Sequence, residues 1–88
     1  MKYFINSKVK VAQADNDTYV MLDGQYYVLN EIARLTLQCF AKGATPQEAV
    51  EEMVREFEGE ADPDQVRADC EELMGYLLES QMIIEEKA

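Results

Sequence analysis

Tyr19-Val-Met-Leu-Asp-Gly-Gln-Tyr-Tyr-Val-Leu-Asn30 is the stretch whose reading decides the fold. Two apolar runs flank Asp23-Gly24, a dipeptide that accepts the positive φ values of a type I′ turn, so a two-residue hairpin is predicted. In that register Leu22 faces Gln25, Met21 faces Tyr26, Val20 faces Tyr27 and Tyr19 faces Val28. Strand side chains alternate, which sorts Val20, Leu22, Tyr27 and Leu29 onto one face and Tyr19, Met21, Tyr26 and Val28 onto the other. Both faces are apolar or aromatic. One covers the core, and the other, or the edge beside it, is available to a partner.

Upstream, Val9-Lys-Val-Ala-Gln-Ala14 alternates weakly and runs into the turn cluster Asp15-Asn16-Asp17. A two-residue turn at Asp15-Asn16 or at Asn16-Asp17 places Val9 and Val11 on the Val20/Leu22 face. The sheet is then a three-stranded antiparallel meander with Gln25–Leu29 at its edge. Downstream, Asn30 is suited to accept from the first free amides of a helix over Glu31–Ala41. Ile32, Leu35, Cys39 and Phe40 share a stripe there, and Gly43 supplies the stop.

Thr45-Pro46-Gln47-Glu48 combines a cap, a first-turn proline and a capping-box glutamate. It opens a second helix, Pro46–Phe57, that buries Ala49, Val50, Met53, Val54 and Phe57. Asp62-Pro63 repeats the cap-and-proline start for a third helix reaching Ser80. Val66, Cys70, Leu73 and Leu77 form its central stripe, with Met74 and Leu78 along one flank. Gln81–Ile84 reads as an apolar exit and residues 85–88 as frayed. The whole is one α+β domain, 1–88, with three strands followed by three helices.

Composition narrows the function. The chain has 88 residues and a formal net charge of −10. Residues 1–30 balance Lys2, Lys8 and Lys10 against Asp15, Asp17 and Asp23; residues 31–88 hold five basic and fifteen acidic side chains. A phosphate backbone is repelled by that half, so nucleic acid is disfavoured as a partner. No apolar run approaches the ~20 residues of a membrane span. Met1–Ser7 does not read as a signal peptide. Cys39 and Cys70 then read as reduced core thiols in a cytoplasmic protein.

Without histidine, no Ser/His or Cys/His pair can be assembled. The cysteines lack spaced zinc partners, Asp15-Asn16-Asp17-Thr18 lacks the glycine and terminal glutamate of a calcium loop, and no glycine-rich phosphate cradle occurs. The acidic residues follow exposed helix faces. The residues therefore point to a protein that is not an enzyme and takes no cofactor. An acyl-carrier role fails on the missing Asp-Ser-Leu sequence. Tyr19, Tyr26 and Tyr27 fit cross-strand packing first, the usual role of aromatics in strands, and also an edge to which a peptide adds as a further strand.

The hairpin followed by Leu29-Asn30-Glu31-Ile32-Ala33, together with Asp69-Cys70, Leu73, Leu77 and Met82-Ile83, resembles the PqqD-like peptide-recognition domains, the RiPP recognition elements. That resemblance implies a winged helix-turn-helix arrangement and a non-catalytic module that binds the leader segment of a ribosomally made precursor peptide. In relatives of this kind the leader joins the third strand and its side chains reach the third helix. On matching positions here, the strand is Gln25, Tyr26, Tyr27, Val28 and Leu29, and the helix wall is Val66, Arg67, Cys70, Met74 and Leu78. Asp69 and Tyr76, on the opposite flank, are the alternatives.

Leu22-Asp23-Gly24-Gln25-Tyr26-Tyr27 before Leu29-Asn30, and Ala44-Thr45 before an acidic helix, look most like the standalone leader-binding proteins of lasso-peptide biosynthesis. These serve a cysteine-protease-type leader peptidase. A PqqD proper, delivering its precursor to a radical SAM enzyme, is the competing reading; it often carries Pro-Glu where Gly24-Gln25 stands here. A winged-helix regulatory or interaction module is a third. Its DNA-binding form suffers from Arg67 being the one basic residue of the third helix.

Overall fold

The computed structural model describes residues 1–85. Strands β1 (Tyr3–Ile5), β2 (Lys10–Ala14), β3 (Asp17–Leu22) and β4 (Gln25–Leu29) precede helices α1 (Glu31–Gln38), α2 (Pro46–Glu56) and α3 (Pro63–Glu79), and β5 (Ile83–Glu85) follows. An antiparallel sheet of order β2-β3-β4 carries the hairpin in the predicted register, from Leu22 opposite Gln25 to Thr18 opposite Leu29. Asp23 and Gly24 both have positive φ, 51° and 80°, as a type I′ turn requires. The turn before β3 is Asp15-Asn16, since Ala14 pairs with Asp17.

Thr18, Val20, Leu22 and Leu29 are buried and Tyr27 is half-buried, which fixes this face of the sheet on the helices. Val11 stands opposite Val20 on that same face, yet it is 55% exposed, and every residue of β2 is exposed. The expectation that Val11 joins the core is thereby corrected: the strand has the predicted face but lies beyond the cover of the helices. Val9, just before it, does pack against the core.

In α1, Asn30 Oδ1 accepts from the Ala33 amide at 2.8 Å. The regular helix stops at Gln38, short of Ala41, because the next amides bond three residues back: Phe40 to Leu37 and Ala41 to Gln38. Its buried face also differs from the predicted stripe. Ala33, Thr36, Leu37 and Phe40 are buried, Leu35 and Cys39 are half-buried, and Ile32 is exposed. Thr36 enters the core because its hydroxyl donates to the Ile32 carbonyl at 2.8 Å, so it buries no orphaned polar group.

The capping box of α2 is complete. The Glu48 amide donates to Thr45 Oγ1 at 3.1 Å and the Thr45 amide to Glu48 Oε1 at 2.9 Å. The Thr45 amide, and next the Thr45 hydroxyl, hold the Glu48 carboxyl below its ordinary value. Helix α3 starts with Asp62 accepting from the Asp64 amide and ends on a Schellman motif. There the Met82 amide reaches the Leu77 carbonyl at 2.9 Å and the Gln81 amide reaches that of Leu78 at 3.1 Å. Gln81, rather than a glycine, takes the left-handed conformation, and Leu77 and Met82 are both fully buried.

A second, two-stranded sheet joins the chain ends. β1 pairs with β5, Tyr3 opposite Glu85 and Ile5 opposite Ile83, so Glu85 is strand rather than frayed; residues 86–88 of that expectation lie outside the described residues. Tyr3 also exchanges both backbone bonds with Ala44, tying the ribbon to the α1–α2 loop. Gly43 allows this approach: it has φ 88°, and a Cβ there would collide with the Phe4 ring.

Candidate functional site

The edge of β4 is the first element of the site. In a two-residue hairpin the residues flanking the turn exchange both backbone bonds, and bonded pairs then alternate with unbonded ones. Leu22–Gln25, Val20–Tyr27 and Thr18–Leu29 are thus bonded, while Tyr26 and Val28 turn their N–H and C=O groups away from β3. Among the described residues, no strand pairs with that side. The Tyr26 and Val28 side chains are 73% and 61% exposed on the face opposite the helices.

A cleft of about 460 Å³ lies alongside this edge. Val28, Leu29 and Asn30 line it from the strand end, Ile32 and Ala33 from α1, and Asp69, Glu72, Leu73 and Tyr76 from α3. The α3 residues fall at helical spacings of three and four, which puts them on one stripe. Gln65 Nε2 donates to Asp69 Oδ1 at 2.9 Å and steadies that half-buried carboxylate. At the other end of the stripe the Tyr76 ring meets that of Tyr27, whose hydroxyl donates to Gln25 Oε1 at 3.0 Å. The cleft therefore joins outward backbone groups, apolar walls and carboxylates.

The residues singled out in the sequence are distributed as follows. Tyr26 and Val28 hold the outward backbone groups, Gln25 sits exposed at the turn, Tyr27 is half-buried, and Leu29 is buried. On α3, Cys70 and Met74 are 1% and 7% exposed and belong to the core, with Val66 packed partly against it. Arg67 and Leu78 are exposed. None of these five helix residues lines the cleft, whereas the alternatives Asp69 and Tyr76 do. The reason is helical phase. Cys70, Met74 and Leu77 fasten α3 to the core, and the stripe one residue earlier, about 100° round the helix, is left beside β4. Sequence reasoning does not place Ile32, Glu72 or Leu73 in the site; the exposed phase of Ile32 follows only once Ala33 and Leu37, rather than Leu35 and Cys39, are taken as the buried positions of α1.

The rest of the molecule supplies little reactive chemistry. Burial, then the Glu52 charge, pushes the Cys39 thiol up to about 12, and burial raises that of Cys70. Among the described residues, no group of three histidine, cysteine or acidic side chains is placed to hold a metal ion, and no helix is long and apolar enough to cross a membrane.

The sequence matches the family described as Coenzyme PQQ synthesis protein D (PqqD) over residues 9–83. The chain belongs to the PqqD family. A comparison with curated proteins found no match. Among solved structures, this PqqD-family chain is similar to TbiB1 in complex with the TbiA(β) leader peptide, with a TM-score of 0.74 and 18% identity over 97% of this chain and 99% of that one. It is also similar to lasso peptide synthetase B1 complexed with the leader peptide, with a TM-score of 0.71 and 24% identity over 94% and 98%. E. coli MccB with ATP gives a TM-score of 0.66 at 21% identity; the match covers 97% of this chain but 24% of that enzyme. At these identities the likeness is one of fold.

Proposed function

We propose that this PqqD-family protein is a non-catalytic recognition protein that binds the leader segment of a ribosomally made precursor peptide and presents it to a processing enzyme. The observation that carries the reading is the edge of β4, whose outward groups at Tyr26 and Val28 stand beside a cleft walled by α3. A leader adding as a strand satisfies those backbone groups, and its alternate side chains enter the cleft. Backbone pairing is nearly blind to sequence, so selectivity falls to Ile32, Leu73, Tyr76 and their neighbours.

Two similar folds, spanning nearly the whole of this chain, were solved with leader peptides, one as lasso peptide synthetase B1. They support a lasso-peptide setting; our reading adds to it a leader peptidase as the receiving enzyme and the cytoplasm as the compartment. The winged helix-turn-helix description of the single domain belongs to the same reading. The PqqD match favours a second one, delivery of a precursor to a radical SAM enzyme, which uses the same edge but a different receiving partner.

An amide chemical-shift titration with a lasso-precursor leader peptide tests the proposal. Shifts centred on Gln25–Leu29 and Asp69–Tyr76 are expected. Shifts confined to α2, with β4 untouched, would overturn it.

A further inference from the structure

We infer that the cleft beside β4 selects an extended peptide carrying a lysine or arginine on the same side of the strand as an apolar anchor. The inference rests on the strand-addition reading above and adds to it the charge of the preferred peptide. Two observations combine. The α3 wall is divided, with Leu73 and Tyr76 offering apolar surface and Asp69 and Glu72 offering carboxylates. No lysine or arginine is among the residues that line the cleft.

Strand geometry converts that division into a pattern. The stripe from Asp69 to Tyr76 is about 10 Å long at 1.5 Å per residue. Side chains on one side of a strand recur about every 6.8 Å. A strand lying along β4 thus places successive cleft-facing side chains near different parts of the wall. An aromatic or aliphatic side chain fills the part beside Tyr76 and Leu73, and a cation an even number of residues away meets Asp69 and Glu72. Asp69 is half-buried and already held by Gln65, so it is positioned before a peptide arrives. An acidic side chain at the same place meets two like charges, which excludes competitors as well as favouring cations. The chain's net charge of −10 adds a long-range bias in the same direction.

The test is a selection from a displayed library of random dodecapeptides on the wild-type chain and on the Asp69→Asn/Glu72→Gln double variant. Both substitutions keep size and one acceptor oxygen while removing the charge, and a thermal melt checks that the variant folds. Wild-type binders are expected to carry lysine or arginine two or four residues from an apolar anchor. The double variant should bind those same peptides roughly threefold to tenfold more weakly and keep the apolar preference. Binders that are lost in a Val28→Pro chain yet show no basic preference would overturn the inference and leave strand addition standing. A basic preference undiminished in the double variant would do the same, because it would come from the acidic surface at large. A library without binders, or binders indifferent to Val28→Pro, would overturn the strand-addition reading beneath it and this inference with it.

Discussion

The ring of Tyr76 on α3 meets the ring of Tyr27 on β4 edge-on, with centroids 6.3 Å apart and planes at 80°. This contact joins the helix to the strand at one end of the cleft and keeps the two walls in register. Tyr76 is nevertheless 45% exposed, so it has surface left for a ligand. Its neighbour in sequence space, Met74, is 7% exposed and holds α3 to the core from the inside.

Substitutions at these two residues should therefore separate binding from stability. Tyr76→Ala removes an edge-to-face contact and part of the cleft wall. It should cost about 1 kcal/mol of stability and weaken leader binding several-fold. Met74→Ala leaves a cavity and should cost about 2–4 kcal/mol, while the folded protein keeps its affinity. Chemical denaturation paired with peptide titration checks both. Equal losses of affinity in the two variants would show that the cleft is shaped by the core rather than lined by Tyr76.

Burial makes the cysteines a pH probe. Cys39 donates from Sγ to the Leu35 carbonyl at 3.3 Å, and its thiol is pushed from 9.0 up to about 12. The folded chain therefore holds this proton more tightly than the unfolded chain. The contribution to stability is intact below pH ~9, where both states are protonated, and is lost as the pH rises towards ~12. Urea midpoints measured across that window should fall more steeply for the wild type than for Cys39→Ala. A thiol reagent at pH 8 should label neither Cys39 nor Cys70 in the folded protein and both after denaturation. Rapid native labelling of Cys39 would contradict this account.

Local signals with a backbone mechanism were legible in the sequence. Asp23-Gly24 set the hairpin, Asn30 started α1, and Thr45-Pro46-Gln47-Glu48 started α2, because each satisfies a dihedral or hydrogen-bond requirement within a few residues. The β1–β5 ribbon was not legible, since three-residue strands at opposite ends of the chain carry no periodic signal of their own. The phase of α3 was obscured for a different reason. Val66, Cys70, Leu73, Met74, Leu77 and Leu78 spread apolar groups over a wide arc, and only packing decides which part faces the core. That choice moved the candidate wall from Cys70 and Met74 to Asp69, Leu73 and Tyr76. The direction of the β4 amides was legible, because hairpin register alone fixes which of them point outward.

That register yields a discriminating pair of proline substitutions. Val28 pairs with Tyr19 at an unbonded position, so its N–H faces the edge; Tyr27 pairs with Val20 at a bonded one, so its N–H serves the sheet. Proline at Val28 deletes an outward donor and sets its ring in the path of an incoming strand, while the β3–β4 ladder keeps its bonds. The Val28 side chain is 61% exposed, so losing it costs the core little. Val28→Pro should remain folded, with a melting temperature within roughly 8 °C of wild type, and should bind the leader at least about tenfold more weakly. Tyr27→Pro removes a donor from inside the sheet and also the ring that meets Tyr76. It should lower the melting temperature by about 10 °C or more. Thermal melts and titrations of both variants, with Val28→Ala as the control for side-chain loss, resolve the question. Should folded Val28→Pro bind the leader as tightly as Val28→Ala does, the edge of β4 would not be the pairing surface, whatever the cleft beside it contributes.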